Sequence, residues 1–210
     1  MYENRKISKA LEYIKINVTS DNFPKSFVET GTASGDSIDW AMMEGGFYRV
    51  YTCELYEPVL KELAAKYSSI YFNLCRQNLM PNLQEFRIWP TDSRQALSEM
   101  LDLVRDPALI WLDAHPGSGC PFEHGVPLYK ELQTIKEHCV KDHLIIIDDA
   151  SYFGTKADQG IYEHLSYLTI EETLKGINPE YVIINTVTSK ELGPFNMDMI
   201  FAIPPQLVNI

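Results

Sequence analysis

Four consecutive apolar residues, Leu144-Ile145-Ile146-Ile147, run straight into two adjacent carboxylates, Asp148 and Asp149. An unbroken apolar run of this length reads as a strand buried on both faces, which is what a central parallel strand needs. A second stretch, Ala108-Leu109-Ile110-Trp111-Leu112-Asp113, ends the same way and leads into Ala114-His115. In open α/β sheets the ligand crevice lies at the carboxyl ends of the strands. Two buried strands therefore deliver three carboxylates and an imidazole toward one edge. Adjacent carboxylates raise each other's pKa unless a cation sits between them. The pattern predicts a site with a metal in it.

The rest of the chain supports such a sheet. Strands are expected at Ser26 to Glu29, Arg49 to Glu54, Glu85 to Trp89, Tyr181 to Val187 and Met197 to Ile203, besides the two already given. Between them lie helical patterns at about Ser37 to Glu44, from Pro58 through Tyr67, Gln95 to Val104, Leu128 to Cys139 and Ile170 to Gly176. Strands alternating with helices predict a parallel sheet covered on both faces. The tight link Gly193-Pro194-Phe195-Asn196 makes the last two strands an antiparallel pair. The expected fold is α/β: a mostly parallel seven-stranded sheet, helices on both faces, and an antiparallel last strand. The 210 residues suit a single domain. Residues 1–24 would form a helical extension, with Ile7, Leu11, Ile14 and Val18 at helical spacing, and residues 25–210 the core.

Charge narrows the function classes. A net charge of −11, with 18 scattered basic residues, counts against a nucleic-acid partner and against an anionic membrane surface. No apolar run is long enough to span a bilayer, so membrane insertion is not expected. Cysteines 53, 75, 120 and 139 form no C-x-x-C pair, which suits reduced thiols and a cytoplasmic location.

The first strand enters Glu29-Thr30-Gly31-Thr32-Ala33-Ser34-Gly35-Asp36-Ser37 and then a helix. Glycines let the backbone approach a ligand, and the helix N-terminus offers unpaired N–H groups. As a dinucleotide fingerprint the match is weak, because G-x-G-x-x-G is incomplete. An acid just before the turn, Glu29, suits a cationic ammonium group rather than a pyrophosphate. Glu54 ends the second strand, placed for ribose hydroxyls, and Asp92-Ser93 after the third can bond an adenine amino edge. Acids at three strand ends suit a ligand with an amino-acid tail, a ribose, an adenine and no phosphate. S-adenosyl-L-methionine has that composition.

Taken in order, Phe27 to Ser37, Tyr51-Thr52-Cys53-Glu54-Leu55, Thr91-Asp92-Ser93, Trp111 to His115 and Ile147-Asp148-Asp149 resemble the motifs of class I S-adenosylmethionine-dependent methyltransferases. Within that group the chain resembles the metal-dependent sugar O-methyltransferases of the macrocin and mycinamicin type, over roughly Ser26 to Ile203. Ala33, Thr91 and Ala114 depart from the common pattern. The resemblance implies a Rossmann-like methyltransferase fold. It implies cofactor-binding residues Glu29, Thr30, Gly31, Thr32, Ser34, Gly35, Asp36, Ser37, Glu54, Leu55, Asp92, Ser93 and Asp113. It also implies that Asp113, Asp148 and Asp149 hold magnesium or another divalent cation, beside a small-molecule or glycan acceptor such as a deoxyhexose. N-terminal extensions in related enzymes often cover the cofactor or form a dimer face, which leaves a homo-oligomer open.

Hard divalent cations prefer carboxylate oxygens, and a metal-bound hydroxyl loses its proton more readily. His115, two residues from Asp113, is the candidate general base, with Asp113 the other catalytic candidate. A second-sphere role for His115 stays open. A zinc site from His115, Cys120 and His124 matches no standard spacing. Trp89 and Trp111 read as core residues. Three other functions stand beside the favoured one. A catechol-type acceptor uses the same metal logic. An NAD-dependent oxidoreductase is disfavoured by the incomplete fingerprint and by aspartates with no part in hydride transfer. A non-catalytic binding protein of the same fold is disfavoured by the retained acids and glycine turn.

Overall fold

The computed structural model describes residues 9–10, 13, 22–68, 72–73, 79–116, 125–156, 158–187 and 198–208. Seven strands form one sheet: β1 (Ser26–Thr30), β2 (Arg49–Cys53), β3 (Glu85–Trp89), β4 (Ala108–Leu112), β5 (Leu144–Ile147), β6 (Val182–Asn185) and β7 (Ile200–Ile203). Their spatial order is β3-β2-β1-β4-β5-β7-β6. The first five are mutually parallel, and β7 runs antiparallel to both β5 and β6. Among the described residues the helices with stated bounds that connect them are α1 (Asp36–Met43), α2 (Glu57–Lys66), α3 (Ser93–Asp102), α4 (Leu128–Glu137) and α5 (Tyr167–Ile177). The expected α/β architecture is the observed one.

The pleat sorts the unbroken apolar runs onto two cores. Val28, Ile110, Ile145 and Ile147 face one side, against Leu97, Leu132 and Leu174 of α3, α4 and α5. Phe27, Leu109, Trp111 and Ile146 face the other, against Ile38 and Ala41 of α1. Phe47 fills that second core, its ring 5.4 Å from Phe27 and 6.0 Å from Trp40. Of the expected N-terminal helix, only Lys9, Ala10 and Tyr13 are described. All three are helical, and the Tyr13 ring lies 5.3 Å from that of Phe201 on β7. The Gly193 to Asn196 link, Met197, Cys75 and Cys120 lie outside the described residues. Among the described residues no helix is long and apolar enough to cross a membrane.

Register is what builds the site. Thr30 pairs with both Cys53 and Leu112, Cys53 with Trp89, and Leu112 with Ile147, so five strands end in one row. The hydrogen-bond ladder runs one residue further, from Gly31 N to Cys53 O, Glu54 N to Trp89 O, Asp113 N to Thr30 O and Asp148 N to Leu112 O. Gly31, Glu54, Asp113 and Asp148 are thus held side by side along the carboxyl edge. The order in which the chain adds strands reverses between β1 and β4, the switch point where α/β sheets open a crevice.

Several boundaries move by one to three residues. α3 begins at Ser93 rather than Gln95 because the Asp92 side chain caps it, accepting from Arg94 N at 2.8 Å. β2, β4 and β5 stop at Cys53, Leu112 and Ile147, so Glu54, Asp113 and Asp148 stand just beyond the strands, whereas Glu29 lies within β1.

Candidate functional site

The glycine turn is fastened against its surroundings. Gly31 sits at φ 83°, and a Cβ there would stand 2.8 Å from Asp113 O and 3.0 Å from Ala114 Cα. Only glycine allows β1's turn to press so closely on the end of β4. Gly35 also has positive φ, as does Ala33 at 45°. Thr32 donates to Cys53 O at 3.1 Å and shares a 2.6 Å hydrogen bond with Thr52. Lys66 Nζ donates to Ser34 O at 2.9 Å and pairs with Asp39 at 2.8 Å, clamping the turn from α2. Asp36 and Ser37 open α1.

Glu29 does not reach the crevice. It is 1% exposed, hydrogen-bonded to Thr52 at 2.9 Å and to the Ser37 hydroxyl. Burial pushes its pKa up to about 8. The carboxyl expected to meet an ammonium group instead braces the turn from below. The reason is that successive side chains alternate sides, and Glu29 faces α1.

Above the turn lies a cavity of about 170 Å³. Gly31 and Ala33 line it from the turn, Glu54, Leu55, Tyr56 and Val59 from the β2 end, and Thr91, Asp92 and Ser93 from the β3 end. Asp113, Ala114, His115 and Pro127 close it. Glu54 Oε1 accepts from Leu55 N at 2.9 Å and Tyr56 N at 2.8 Å, and its Oε2 accepts from Ala33 N at 3.0 Å. A carboxylate offers about four acceptor positions, so Glu54 ties β2 to the turn and keeps room for a hydroxyl. Asp92 likewise caps α3 and forks with the Arg94 guanidinium. Leu55 stays 42% exposed at the rim, an apolar face suited to stacking. Of the expected cofactor set, Gly31, Glu54, Leu55, Asp92, Ser93 and Asp113 line this cavity, while Glu29, Thr30, Thr32, Ser34, Gly35, Asp36 and Ser37 build the turn beside it.

A second compartment of about 10 Å³ lies behind Asp113. Asp113, His115 and Asp149 bring one ligand atom each within 4.8 Å of one another. His115 Nε2 stands 3.6 Å from Asp149 Oδ2, too far for a hydrogen bond. Its Nδ1 faces Pro116 O at 3.4 Å. Tyr162 donates to Asp149 Oδ2 at 3.0 Å. Asp149 adopts left-handed φ, 59°, which turns its side chain back toward β4's end. Asp148 also lines the compartment but is not in the converging trio. It is 5% exposed, and its Oδ1 accepts from Asp149 N at 2.7 Å. All three expected acids, Asp113, Asp148 and Asp149, line this compartment, and the ligand atoms that converge among the described residues are those of Asp113, Asp149 and His115. Cys120 and His124 lie outside the described residues.

Two residues that sequence reasoning passed over belong here. Tyr162 carries no local signal. Glu131 does: it sits on α4 in the stripe Leu128, Glu131, Leu132, Ile135, an acid on an apolar face, and is 1% exposed. Burial pushes its pKa up to about 7, opposed by the nearby Ser93 and Thr30 hydroxyls.

No protein-family model and no curated protein matches the chain. Solved structures do. A Staphylococcus aureus protein assigned as a caffeoyl-CoA O-methyltransferase superposes with a TM-score of 0.50 and 18% identity, over 94% of this chain and 81% of its own. A Clostridium thermocellum protein assigned as an rRNA methylase gives 0.55 and 14%, over 95% and 96%. Human methyltransferase-like protein 13, crystallised with SAH, gives 0.52 and 13%, over 98% and 86%. At such identities the likeness establishes the fold, and the chain has the Rossmann-like fold of class I methyltransferases.

Proposed function

We propose that this chain is an S-adenosylmethionine-dependent O-methyltransferase that works with a divalent cation on a sugar hydroxyl. The observation that carries the proposal is the sharing of Asp113, Ala114 and His115 by the two compartments. A methyl donor in the larger cavity would thereby abut an acidic acceptor site across one residue row. Glu54 is placed for the ribose hydroxyls, Leu55 and Tyr56 for one face of the adenine, and Gly31 and Asp113 for the methionine end.

The donor set fits a hard cation. Asp113 and Asp149 would hold it, with His115 beside them and Asp148 behind. When bound, such a cation lowers the pKa of an acceptor hydroxyl. His115, 38% exposed and open to the cavity, takes the hydroxyl proton at Nε2. The acceptor oxygen then displaces the sulfonium methyl, and sulfur leaves as the thioether. Tyr162, and the Asp148 carboxylate through the Asp149 backbone N–H, keep Asp149 oriented, so the acid need not reorganise as charge develops.

A second reading has its own support. Phe153 and Tyr162 add aromatic walls to the small compartment, and a planar catechol acceptor whose hydroxyls reached the cation from the larger cavity would use the same metal logic. The net charge of −11 speaks against RNA for either reading.

Calorimetric titration with S-adenosylhomocysteine and with NAD tests the donor site, and tight binding of NAD alone overturns the proposal. Magnesium-dependent methyl transfer over a panel of sugars and catechols, with EDTA controls and Asp149→Asn, tests the rest. Rates untouched by EDTA and by the substitution would remove the cation from the mechanism.

A further inference from the structure

We infer that Glu131 is a positioning residue for the cation site, accepting a hydrogen bond from a water held between its Oε1 and the Asp113-His115-Asp149 trio. The inference rests on the proposed cation, and it begins from a mismatch. Glu131 projects from the buried face of α4, where Leu128, Leu132 and Ile135 are its stripe neighbours. It is 1% exposed, and its Oε1 has no hydrogen-bond partner among the described residues. The Ser93 and Thr30 hydroxyls lie near enough to lower its pKa, but neither reaches Oε1 in hydrogen-bond geometry, and Thr30 Oγ1 at the end of β1 is itself buried without a partner among the described residues. Arg94, the cation whose charge reaches Glu131, is already forked onto Asp92. An unmet carboxyl oxygen in such a place costs folding free energy, so it calls for a donor.

The compartment shows where that donor sits. Glu131 lines it together with Asp113, His115, Asp148 and Asp149, and its volume of about 10 Å³ has room for one water molecule. Glu131 stands outside the converging trio, so it is not one of the direct ligands. Small hard cations keep several of their waters, and a cation-bound water is a strengthened donor. A carboxylate one water away is thus matched to the hydration shell of a cation held by Asp113 and Asp149. Partners of this kind fix the orientation of ligands and waters and typically change metal affinity 10- to 100-fold.

Mn2+ binding to the full chain, stripped with EDTA and followed by calorimetry or electron paramagnetic resonance, tests this. Glu131→Leu should weaken Mn2+ binding about 10- to 100-fold while raising the melting temperature of the metal-free protein, because the unmet oxygen is gone. Glu131→Gln, with one acceptor left, should fall between. Unchanged affinity in both variants overturns the inference and leaves the cation reading standing, provided Asp149→Asn abolishes binding. A lowered metal-free melting temperature in both variants would make Glu131 a structural prop and also overturn it. If the unaltered protein binds no Mn2+, the cation reading itself fails and the inference falls with it.

Discussion

At the scale of single residues, the site depends on groups that look misplaced until their neighbours are counted. Gly31 is one. Its positive φ and the 2.8 Å approach of Asp113 O leave no room for a methyl group. Gly31→Ala should destabilise the fold by roughly 1–3 kcal/mol in urea unfolding and abolish binding of S-adenosylhomocysteine, since the turn must move off β4. Glu29 is the other. Thr52 and Ser37 both donate to its carboxyl, yet burial outweighs these bonds and lifts its pKa from an ordinary 4.5 to about 8. A carboxyl whose folded pKa is raised contributes stability that is complete below its unfolded pKa. That stability is lost as pH rises, by up to about 1.4 kcal/mol per pH unit. The window here runs from 4.5 to about 8. Glu29→Gln, which mimics the protonated acid, should unfold in urea with a flatter pH dependence across that window. Parallel curves for the two proteins would show that Glu29 is ionised in the native state.

At the scale of elements, β4 and β5 are anchored at their feet as firmly as they are charged at their tips. His143, just before β5 and fully buried, accepts from Ala108 N at 3.1 Å through Nδ1. Its Nε2 therefore carries the proton and meets His138 Nδ1 at 3.0 Å. Burial, then the charges of His138 and Lys141, push the His143 pKa down to about 3. Protonating Nδ1 would cost the Ala108 bond. The unfolded chain takes up this proton near 6.5 and the folded one only near 3, so stability falls as pH drops through that window. His143→Asn keeps an acceptor for Ala108 N and removes the titration. Between pH 7 and 5.5 the unaltered protein should lose about 1–2 kcal/mol more than this variant in urea unfolding, and equal losses would exclude the histidine as the cause. These same two strands were the most legible in the sequence, because an unbroken apolar run has one physical use in a covered sheet. The start of α5 was less so: Leu168 is 66% exposed and breaks the apolar period, and the helix begins at Tyr167 rather than Ile170. Glu131 was legible only as an acid on the apolar stripe of α4, against the usual rule that charges on a helix mark its solvent face, and Tyr162 was not legible because its contact with Asp149 is tertiary.

At the scale of the whole molecule, alternation gave a parallel sheet with an antiparallel end but not the place of β7. The structure inserts β7 between β5 and β6. The burial contrast follows: Ile200-Phe201-Ala202-Ile203 is buried throughout, whereas Val182 on edge strand β6 is 40% exposed. An unbroken apolar run against one ending in Asn185 carried that information, though the connecting link alone did not. The strand order matters to function because it puts β1 and β4 side by side and opens the 170 Å³ cavity over their ends. Every wall of that cavity comes from a different strand end, so a ligand filling it ties β1, β2, β3 and β4 together. Binding to the native state alone stabilises the fold by about 2.7 kcal/mol at a hundred times Kd. For a chain of this length that corresponds to a rise of about 5–10 °C in melting temperature. S-adenosylhomocysteine should produce a shift of this size in thermal unfolding followed by circular dichroism, and NAD at the same concentration should produce none. The Gly31→Ala protein should show no shift with either, because the turn that closes the cavity against β4 is lost. A shift with NAD that matches or exceeds that with S-adenosylhomocysteine would assign the crevice to a dinucleotide, and the acids at the β2 and β3 ends would then need another role.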